Sequence, residues 1–293
     1  MKKYLYAVLT VFIWSTLAAT AKLILNDIPN LQTLAISSFF AFLFLVVINL
    51  RGKIVKKLCT YSIKDYGKMA GLGFLGIFAY SALYYYGLTQ LTSQEACIVN
   101  YLWPIMLVIF SVIILKEKLT FLKIVAMVCS FVGIIVLSLG GASSDGNGFL
   151  GIVACVIASA CYGLFSVLNK KADYDQNIAM TVIWLTTAIC STVFGLLTEE
   201  WVSISFTQLL GLVWMGVVVD AVAYLLWALA LKGSENTAKI ANLAYMTPFL
   251  SLVVSTILCN EKIEFRAVIA LVFIVGGILL QSLCDGRKRG EKV

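Results

Sequence analysis

Ten apolar stretches of roughly 20 residues follow one another along almost the whole of this 293-residue chain. About 20 apolar residues form a helix that crosses the hydrocarbon core of a membrane, and a helix satisfies its own backbone hydrogen bonds there. The pattern therefore predicts an all-α, polytopic membrane protein with ten transmembrane helices. We number the stretches segments 1 to 10; they cover residues 4–25, 31–50, 67–88, 96–115, 124–140, 149–169, 178–197, 208–231, 240–259 and 266–283.

The composition excludes a soluble globular domain. Hydrophobic residues make up 61% of the chain and charged residues 13%, and the mean hydropathy is +0.97. The stretches between the segments are too short for a separate extramembrane domain. The chain has no histidine, its eight cysteines are dispersed, and it carries no phosphate-binding loop motif. We therefore expect no cofactor, no metal site and no use of ATP by this chain.

The distribution of basic residues predicts how the segments are oriented. With a cytoplasmic amino terminus, 19 of the 22 lysine and arginine residues fall on the cytoplasmic side of ten helices. The three on the outer side are Lys22, Lys262 and Arg266. Basic loops stay in the cytoplasm during insertion, so this bias predicts that both termini are cytoplasmic. We expect the protein to lie in the cell (cytoplasmic or inner) membrane. The net charge of +7 follows from topology, and we expect no nucleic-acid partner.

A block near the middle of the chain recurs near its end. Residues 101–139 align without a gap with residues 245–283, at an offset of 144, with 13 identities in 39 positions. Apolar composition alone would give fewer matches. The chain therefore contains an internal repeat.

A second match extends the repeat to the start of each half. Trp14 stands eight residues before Lys22 in segment 1, and Tyr162 stands eight residues before Lys170 in segment 6, at an offset of 148. Five helices per half is an odd number, so the second half crosses the membrane upside down relative to the first. We predict a 5+5 inverted repeat, with five-helix units at residues 1–140 and 141–293, the second ending in a short basic tail.

Two of the three prolines occupy the same position of this repeat, Pro104 in segment 4 and Pro248 in segment 9. A proline inside a helix leaves a carbonyl one turn earlier without its usual donor, here at Asn100 and Ala244. We expect these two free carbonyls to face the content of a central cavity. Helices bend at such points, and paired discontinuities around a central site are typical of secondary transporters. We predict that one proline serves as the hinge of the outward gate and the other as that of the inward gate. Two static kinks are the alternative.

These features resemble the EamA-type members of the drug/metabolite transporter superfamily. The resemblance rests on the 5+5 pattern, on Trp14-Ser15, and on an aromatic-x-x-Pro motif with an acidic residue after segment 4; it covers essentially the whole chain. It implies a secondary transporter that works by alternating access. The stretch Val99-Asn-Tyr-Leu-Trp-Pro104 is most similar to the subgroup that exports aromatic amino acids.

In that subgroup, aromatic side chains of helices 3, 4 and 6 line a central cavity. Carried over by position, the resemblance implies that such a lining is formed in this chain by Tyr80, Tyr84, Tyr101, Trp103 and Tyr162. Segment 6 carries Tyr162 where we would expect tryptophan, and segment 9 has Thr247 where segment 4 has Trp103. The complete set of predicted substrate contacts is Trp14, Tyr80, Tyr84, Asn100, Tyr101, Trp103, Tyr162, Asp220, Tyr224, Asn242 and Tyr245.

Asp220 is the one acidic residue near the middle of a segment. A charge at that depth costs at least about 2.5–3.5 kcal/mol, so its side chain should face the protein interior or water. Its repeat equivalent is Gly76, so the halves differ in chemistry near the presumed midplane. The functional interpretation is a proton-coupling carboxylate or an anchor for a substrate amine. The structural interpretation is a protonated or tyrosine-bonded aspartate that holds helices together.

Tyr80 and Tyr84 are four residues apart, on one face of segment 3, and suit a flat ligand that stacks and accepts one hydrogen bond. The alternative is an interfacial aromatic belt, which suits Tyr85 and Tyr86 better. Asn100 and the second-half residue Asn242 can bind substrate or can only bridge helices.

Charged residues at segment ends are candidates for gates. Lys22 and Lys170 are expected to extend toward the membrane surface by default, with a gate contact as the alternative. Glu117 and its repeat equivalent Glu261 are predicted to cap helices or to contact a gate.

Glycines predict close helix packing. Gly67 and Gly71 form a small-x-x-x-small pair, and Gly73, Gly76 and Gly133 also lie within segments. We expect helices to approach one another at these positions.

Two other classes of membrane protein fit the sequence less well. A lipid-modifying enzyme would cluster acidic or histidine residues at a membrane face, and a channel would line a pore with several like residues. We therefore expect a carrier and no enzyme. Its substrate is predicted to be a neutral or aromatic amino acid, or alternatively another small organic metabolite or cation. We further expect export, contact with membrane lipid, a coupling proton as one option, and a monomer or weak dimer.

Overall fold

The protein is described here by a computed structural model that covers residues 2–50, 60–114, 148–232 and 242–290, with isolated positions between 116 and 136. These ranges fold into helices joined by short connections. In chain order the elements are α1 (Lys2–Ser15), α2 (Leu17–Leu25), α3 (Asn30–Leu50), α4 (Ile63–Gly73), a first π-helix (Phe74–Ala79), α5 (Tyr80–Gln90), α6 (Ser93–Asn100), α7 (Trp103–Ile114), α8 (Gly148–Lys171), α9 (Gln176–Thr198), α10 (Phe206–Val213), a second π-helix (Trp214–Val222), α11 (Ala223–Lys232), a 3₁₀-helix (Asn242–Met246), α12 (Thr247–Cys259) and α13 (Phe265–Gly290).

Seven helices within the described ranges are long and apolar enough to cross a membrane. They are Tyr4–Leu25, Asn30–Leu50, Ile63–Gln90, Ser93–Ile114, Gly148–Asn169, Gln176–Thr198 and Phe206–Trp227. Two shorter apolar helices, Thr247–Cys259 and Phe265–Gly277, follow them. Segment 5 is described only at isolated positions, so the total of ten stays a prediction.

Three helices begin two to four residues earlier than the apolar pattern predicts, because each starts with a capping box. In a capping box, a serine or threonine accepts a hydrogen bond from the backbone three residues on, and the side chain there bonds back. This reciprocal pair lets a helix extend into polar sequence that a hydropathy count leaves out. The pairs are Ser62 with Asp65, Thr92 with Glu95, and Ser205 with Gln208.

The distribution of polarity is that of a protein surrounded by lipid. Large apolar side chains cover much of the outer surface; Leu197 is 77% exposed and Ile257 is 73% exposed. Inside, small hydroxyl residues such as Ser37 and Thr187 are fully buried. A soluble domain would show the opposite arrangement, since contiguous exposed apolar surface of this extent marks contact with a membrane.

The two halves pack against each other throughout the bundle. Helix α3 lies along α9, α5 and α7 pack on α8, α1 packs on α11, and α2 packs on α12. Each of these pairs joins a helix of the first half to one of the second. The space between the halves is therefore enclosed by helices from both.

Glycine packing is predicted correctly at some positions and wrongly at others. A Cβ atom at Gly73 would lie 2.9 Å from the carbonyl oxygen of Ile183, and one at Gly133 would lie 2.8 Å from that of Ala270. At Gly67 and Gly71 nothing lies within 4 Å, so that pair does not mediate helix contact. The spacing of two glycines shows that they share a helix face, but it does not show what the face meets.

Several helices are interrupted within their membrane spans. Segment 1 breaks at Thr16, whose hydroxyl donates to the carbonyl of Ile13, 2.7 Å away. Segments 3 and 8 each contain a π-helix, and the repeat offset of 144 superimposes 74–78 of the first on 218–222 of the second. Wide turns of this kind are rare and are frequent at functional sites. The two halves thus share the π-helix, whereas the break at Thr16 has no counterpart in the continuous helix α8.

Candidate functional site

A cavity lies between the two halves, near the middle of the bundle. Its walls come from both halves, from segments 1, 3 and 4 on one side and segments 6 to 9 on the other. The lining residues are Trp14, Leu17, Ala18, Ile77, Tyr80, Ser81, Tyr84, Tyr85, Cys97, Asn100, Tyr101, Trp103, Tyr162, Trp184, Val219, Asp220, Tyr224 and Thr247. This enclosure by both repeats places the cavity where a carrier must bind what it moves.

Nine of the eleven substrate contacts predicted from the sequence line this cavity. They are Trp14, Tyr80, Tyr84, Asn100, Tyr101, Trp103, Tyr162, Asp220 and Tyr224. The side chains of Asn242 and Tyr245 lie outside the described part of the structure, as does that of Pro104. The structure thus brings the predicted residues together, while their role in binding stays a prediction.

Aromatic rings form most of the cavity wall and contact one another. Tyr80 and Tyr84 stack with centroids 6.0 Å apart and an interplanar angle of 5°. Tyr162 lies 5.0 Å from Tyr80 and meets Trp103 edge to face at 5.3 Å. Because such contacts hold each ring in one orientation, the wall presents preformed flat apolar surfaces.

A second aromatic group lies in the part of the cavity formed by segments 1, 7 and 8. Tyr224 meets Trp14 edge to face at 5.4 Å and Trp184 at 6.2 Å. Trp184 is 3% exposed and was not predicted, because no repeated motif distinguishes it from other apolar residues of segment 7. Only packing across the halves brings it to the site.

Tyr85 is a correction to the predicted aromatic belt. It is 3% exposed, lines the cavity and lies close to Ser37 and Asp220, whereas Tyr86 is 37% exposed as a belt residue should be. The belt interpretation of Tyr85 relied on its depth along segment 3. Depth is a poor guide here, because α3 and the second π-helix cover that face of the helix.

Asn100 bridges two helices and also lines the cavity, while its predicted contact with substrate stays a prediction. Its side-chain amide donates to the hydroxyl of Tyr80 at 3.0 Å and so bridges segments 3 and 4. Its Oδ1 atom is buried and has no hydrogen-bond partner in the described structure. The same is true of Oγ1 of Thr247, which comes from the other half. Both atoms belong to residues that line the cavity.

Asp220 lies in the second π-helix and is 7% exposed. Its Oδ2 atom is buried without a hydrogen-bond partner among the described residues. A helix-bridging aspartate would have its oxygens satisfied, because an unpaired buried polar group costs about 1–3 kcal/mol. An atom left in this state beside a cavity is available to a ligand.

The helix is interrupted before both prolines, but one freed carbonyl is already paired. Segment 4 breaks at 101–102, and segment 9 runs as a 3₁₀-helix over Asn242–Met246. The hydroxyl of Tyr101 donates to the carbonyl of Ala244, the one that Pro248 leaves without a helical donor. The expectation that this carbonyl faces the cavity content is therefore wrong. Instead, this hydrogen bond joins the helix interruption in segment 4 to the one in segment 9.

On the predicted outer side, one set of polar contacts lies within the first half and another joins the two halves. Lys22 is half-buried and donates to the carbonyls of Leu88 and Leu91, the latter at 2.6 Å, so it does not extend to the membrane surface. Glu261 accepts hydrogen bonds from the backbone of Ser93 at 2.7 Å and Gln94 at 3.2 Å, and so caps α6. This agrees with the predicted cap, while Glu117 and the Lys170 side chain lie outside the described residues.

The chain matches a known family twice. The sequence profile of the EamA-like transporter family matches residues 1–139 and again residues 149–283. Together the two matches cover nearly the whole chain.

Individual relatives extend over most of the chain at low identity. An uncharacterized transporter of Clostridium kluyveri is 24% identical over 96% of this chain and 93% of its own, and one of Archaeoglobus fulgidus is 29% identical over 96% and 98%. The aromatic amino acid exporter YddG of Ancylobacter novellus is 26% identical over 74% of this chain and 76% of the exporter. One crystal structure, 22% identical, covers 97% of this chain and 98% of its own with a TM-score of 0.70, which shows a shared fold.

Proposed function

Because the chain belongs to the EamA-like transporter family, we propose that it is a secondary transporter that exports a metabolite of amino-acid size with an aromatic or otherwise apolar body, either a neutral amino acid or another small organic metabolite or cation. It carries this molecule in the cavity between the halves by alternating access. No chemical change of the substrate is involved, so the protein is a carrier and not an enzyme.

One observation carries this proposal. Three buried polar atoms without partners in the described structure, Asp220 Oδ2, Asn100 Oδ1 and Thr247 Oγ1, belong to residues of a single cavity whose other lining residues are mostly aromatic or aliphatic. Empty apolar cavities need no such atoms, and unpaired polar groups are costly unless something completes their hydrogen bonds. A small amphipathic molecule would stack on the rings and pair with these atoms.

The substrate class is supported by the wall chemistry and by one relative. Flat rings with hydroxyl groups suit aromatic side chains, and a distant relative is named an aromatic amino acid exporter.

The proposed topology has ten spans in a 5+5 inverted repeat, with both termini in the cytoplasm. It is supported by the two family matches, one in each half, and by the 19-to-3 distribution of basic residues. Single cysteines introduced at Ser144 and Lys57 should label from opposite sides of the membrane. If both label from the same side, the proposed topology is wrong.

The proposed mechanism uses the paired breaks at Pro104 and Pro248 as hinges, in a monomer or weak dimer. Contacts such as Glu261 on α6 close the predicted outer side. When these contacts break and the outer side opens, the inverted repeat allows equivalent contacts to close the cytoplasmic side.

Counterflow in liposomes tests the transport proposal. Purified protein is reconstituted, loaded with unlabelled compound, and assayed for uptake of labelled amino acids and related metabolites. Replacement of Trp103 or Tyr84 with alanine should weaken binding by about 1 kcal/mol or more, because one stacking surface is lost. Tyr86→Ala, on the same helix as Tyr84 but outside the cavity lining, is the matched control. Wild-type rates for every compound in both cavity variants would contradict an aromatic binding cavity.

A further inference from the structure

The charges around the cavity are more informative about the carried molecule than its aromatic walls. Asp220 is the one formally charged side chain among the described lining residues, and neither lysine nor arginine is found among them. Lys22, the basic residue of segment 1, uses its ammonium group to donate to the carbonyls of Leu88 and Leu91. A carboxylate in the ligand would therefore meet a carboxylate of the protein and no lining cation.

The unpaired atoms of the site call for a hydrogen-bond donor. Oδ2 of Asp220 and Oδ1 of Asn100 can only accept hydrogen bonds, unless the carboxyl group is protonated. The amide nitrogen of Asn100 is already used, since it donates to Tyr80. Thr247 offers a hydroxyl, which can donate or accept. An ammonium group satisfies such acceptors, whereas a carboxylate adds further acceptors to the site.

Aromatic rings surround the same carboxylate. Tyr224 follows Asp220 by one turn of the chain and contacts Trp14 and Trp184. Tyr85 also lies close to Asp220. The faces of tyrosine and tryptophan rings attract a cation, most strongly where water is excluded. A cation at Asp220 would thus be stabilised by its ion pair and by the adjacent rings.

A negatively charged ligand group is disfavoured beside Asp220. Two negative charges held a few ångströms apart in a poorly solvated site repel each other strongly, and each loses its hydration. A zwitterion brings one group that suits Asp220 and one that has no partner. A simple amine brings only the first.

Resting on the proposed transport function, we propose that the carried molecule is a cationic amine with an aromatic or similarly flat apolar body and no carboxylate. Its ammonium group binds Asp220, its body stacks among Tyr80, Trp103 and Tyr162, and Asn100 accepts a further hydrogen bond. Asp220 is the residue that selects the amine over the corresponding amino acid.

Three matched compounds test this inference. 2-Phenylethylamine, phenylalanine and 3-phenylpropionate share a phenyl ring and a two-carbon chain, which carries an ammonium group in the first, an ammonium and a carboxylate group in the second, and a carboxylate group in the third. Their affinities for the purified protein are measured by calorimetry, and each is used to compete with labelled counterflow in liposomes. The amine should bind at least about tenfold more tightly than phenylalanine, because a charge-assisted hydrogen bond is gained without a repelled carboxylate. 3-Phenylpropionate should bind least.

Variants of Asp220 show whether that residue is the source of the preference. Asp220→Asn should reduce affinity for the amine at least about tenfold and remove most of the difference between amine and amino acid. Asp220→Glu should keep the preference for the amine, although at lower affinity. Thermal unfolding of each purified variant shows that it is folded. The difference in affinity between amine and amino acid in the unaltered protein is a test that needs no variant.

Several outcomes overturn the amine proposal. Binding of phenylalanine as tight as that of the amine would do so, as would an unchanged preference in Asp220→Asn. If Asp220→Asn abolishes proton movement while the preference for the amine persists, the residue couples protons and does not bind the ligand. Binding of none of the three compounds also overturns it. Counterflow of any other metabolite would then leave the transport proposal standing.

Discussion

The two halves place very different side chains at equivalent positions of equivalent π-helices. In the first half, Gly76 lies under Phe165, and a Cβ atom there would be 2.2 Å from that ring. In the second half the same position is Asp220, and Leu17, the repeat equivalent of Phe165, lines the cavity with it. A ring of the second half fills the space at the first π-helix, whereas the second π-helix carries a carboxylate that lines the cavity. The backbone irregularity is shared, while the unequal side chains give the described cavity lining a single formally charged residue.

The largest expected effect comes from making the first half like the second. Gly76→Asp forces a side chain into the ring of Phe165 and buries a charge at membrane depth. We expect a loss of about 4 kcal/mol or more of stability, seen as little folded protein by size-exclusion chromatography. Asp220→Gly, the reverse change, should remain folded. The double variant Gly76→Asp with Phe165→Leu should recover part of the folded yield, and no recovery would show that Phe165 is not the obstacle.

The next largest effect is expected at Phe165 and its repeat equivalent Leu17, where one substitution should affect stability and the other substrate binding. Phe165 is 3% exposed, so Phe165→Leu should lower stability by about 2 kcal/mol and reduce the thermal unfolding temperature. Leu17→Phe fills the space beside Asp220, so it should weaken substrate binding with a smaller change in unfolding temperature. If both variants alter stability equally and leave binding unchanged, the two positions do not differ as described.

A smaller effect is expected where the two halves are tied at their breaks. Tyr101→Phe removes the hydroxyl that donates to the carbonyl of Ala244, which should cost about 1.5 kcal/mol, detected by thermal unfolding. The exchange rate in liposomes should change as well, because the bond joins two moving parts. Tyr86→Phe is the control and should have no effect. Tyr245 is the repeat equivalent of Tyr101. An equal change in Tyr245→Phe would indicate that both tyrosine hydroxyls form such a bond between the halves.

The smallest effect is expected at the prolines themselves. Alanine at Pro104 or Pro248 allows the helical hydrogen bond to form, which favours a straight helix by about 1 kcal/mol and should slow exchange about fivefold. Expression should stay nearly unchanged. In the proposed inverted repeat, one variant should slow opening to the outside and the other opening to the inside, which single-sided cysteine labelling can distinguish. Undiminished exchange in both variants would show that the breaks are static kinks.

The sequence predicts the membrane spans and the aromatic residues of the site because both depend on local chemistry. Apolar length fixes the spans, and the tyrosines and tryptophans that line the cavity stand out in repeated or clustered positions. Trp184 and Tyr85 were missed because the neighbour of a helix face is set by tertiary packing. The π-helices were missed for a different reason: they shift hydrogen bonds by one residue without changing composition.

The pairing of polar groups also depends on tertiary contacts. A lysine near a helix end usually reaches water, yet Lys22 instead finds the carbonyls at the end of segment 3. The carbonyl freed by Pro248 was expected to be open, and a tyrosine of the other half pairs with it. In both cases the local rule identifies an unsatisfied group correctly, and only the fold shows what satisfies it.

The central claim is that the carried molecule binds in the cavity between the halves. The most direct test is whether the bound molecule protects a cysteine introduced into the cavity from alkylation. Ser81 lines the cavity, and Tyr86 lies on the same helix outside the lining. In liposomes, the alkylation rates of Ser81→Cys and Tyr86→Cys are followed by mass spectrometry, with and without a saturating amount of the compound that exchanges fastest. We predict that the compound slows alkylation at position 81 severalfold and leaves position 86 unchanged. Equal rates at position 81 with and without the compound, in a variant that still transports it, would contradict the claim.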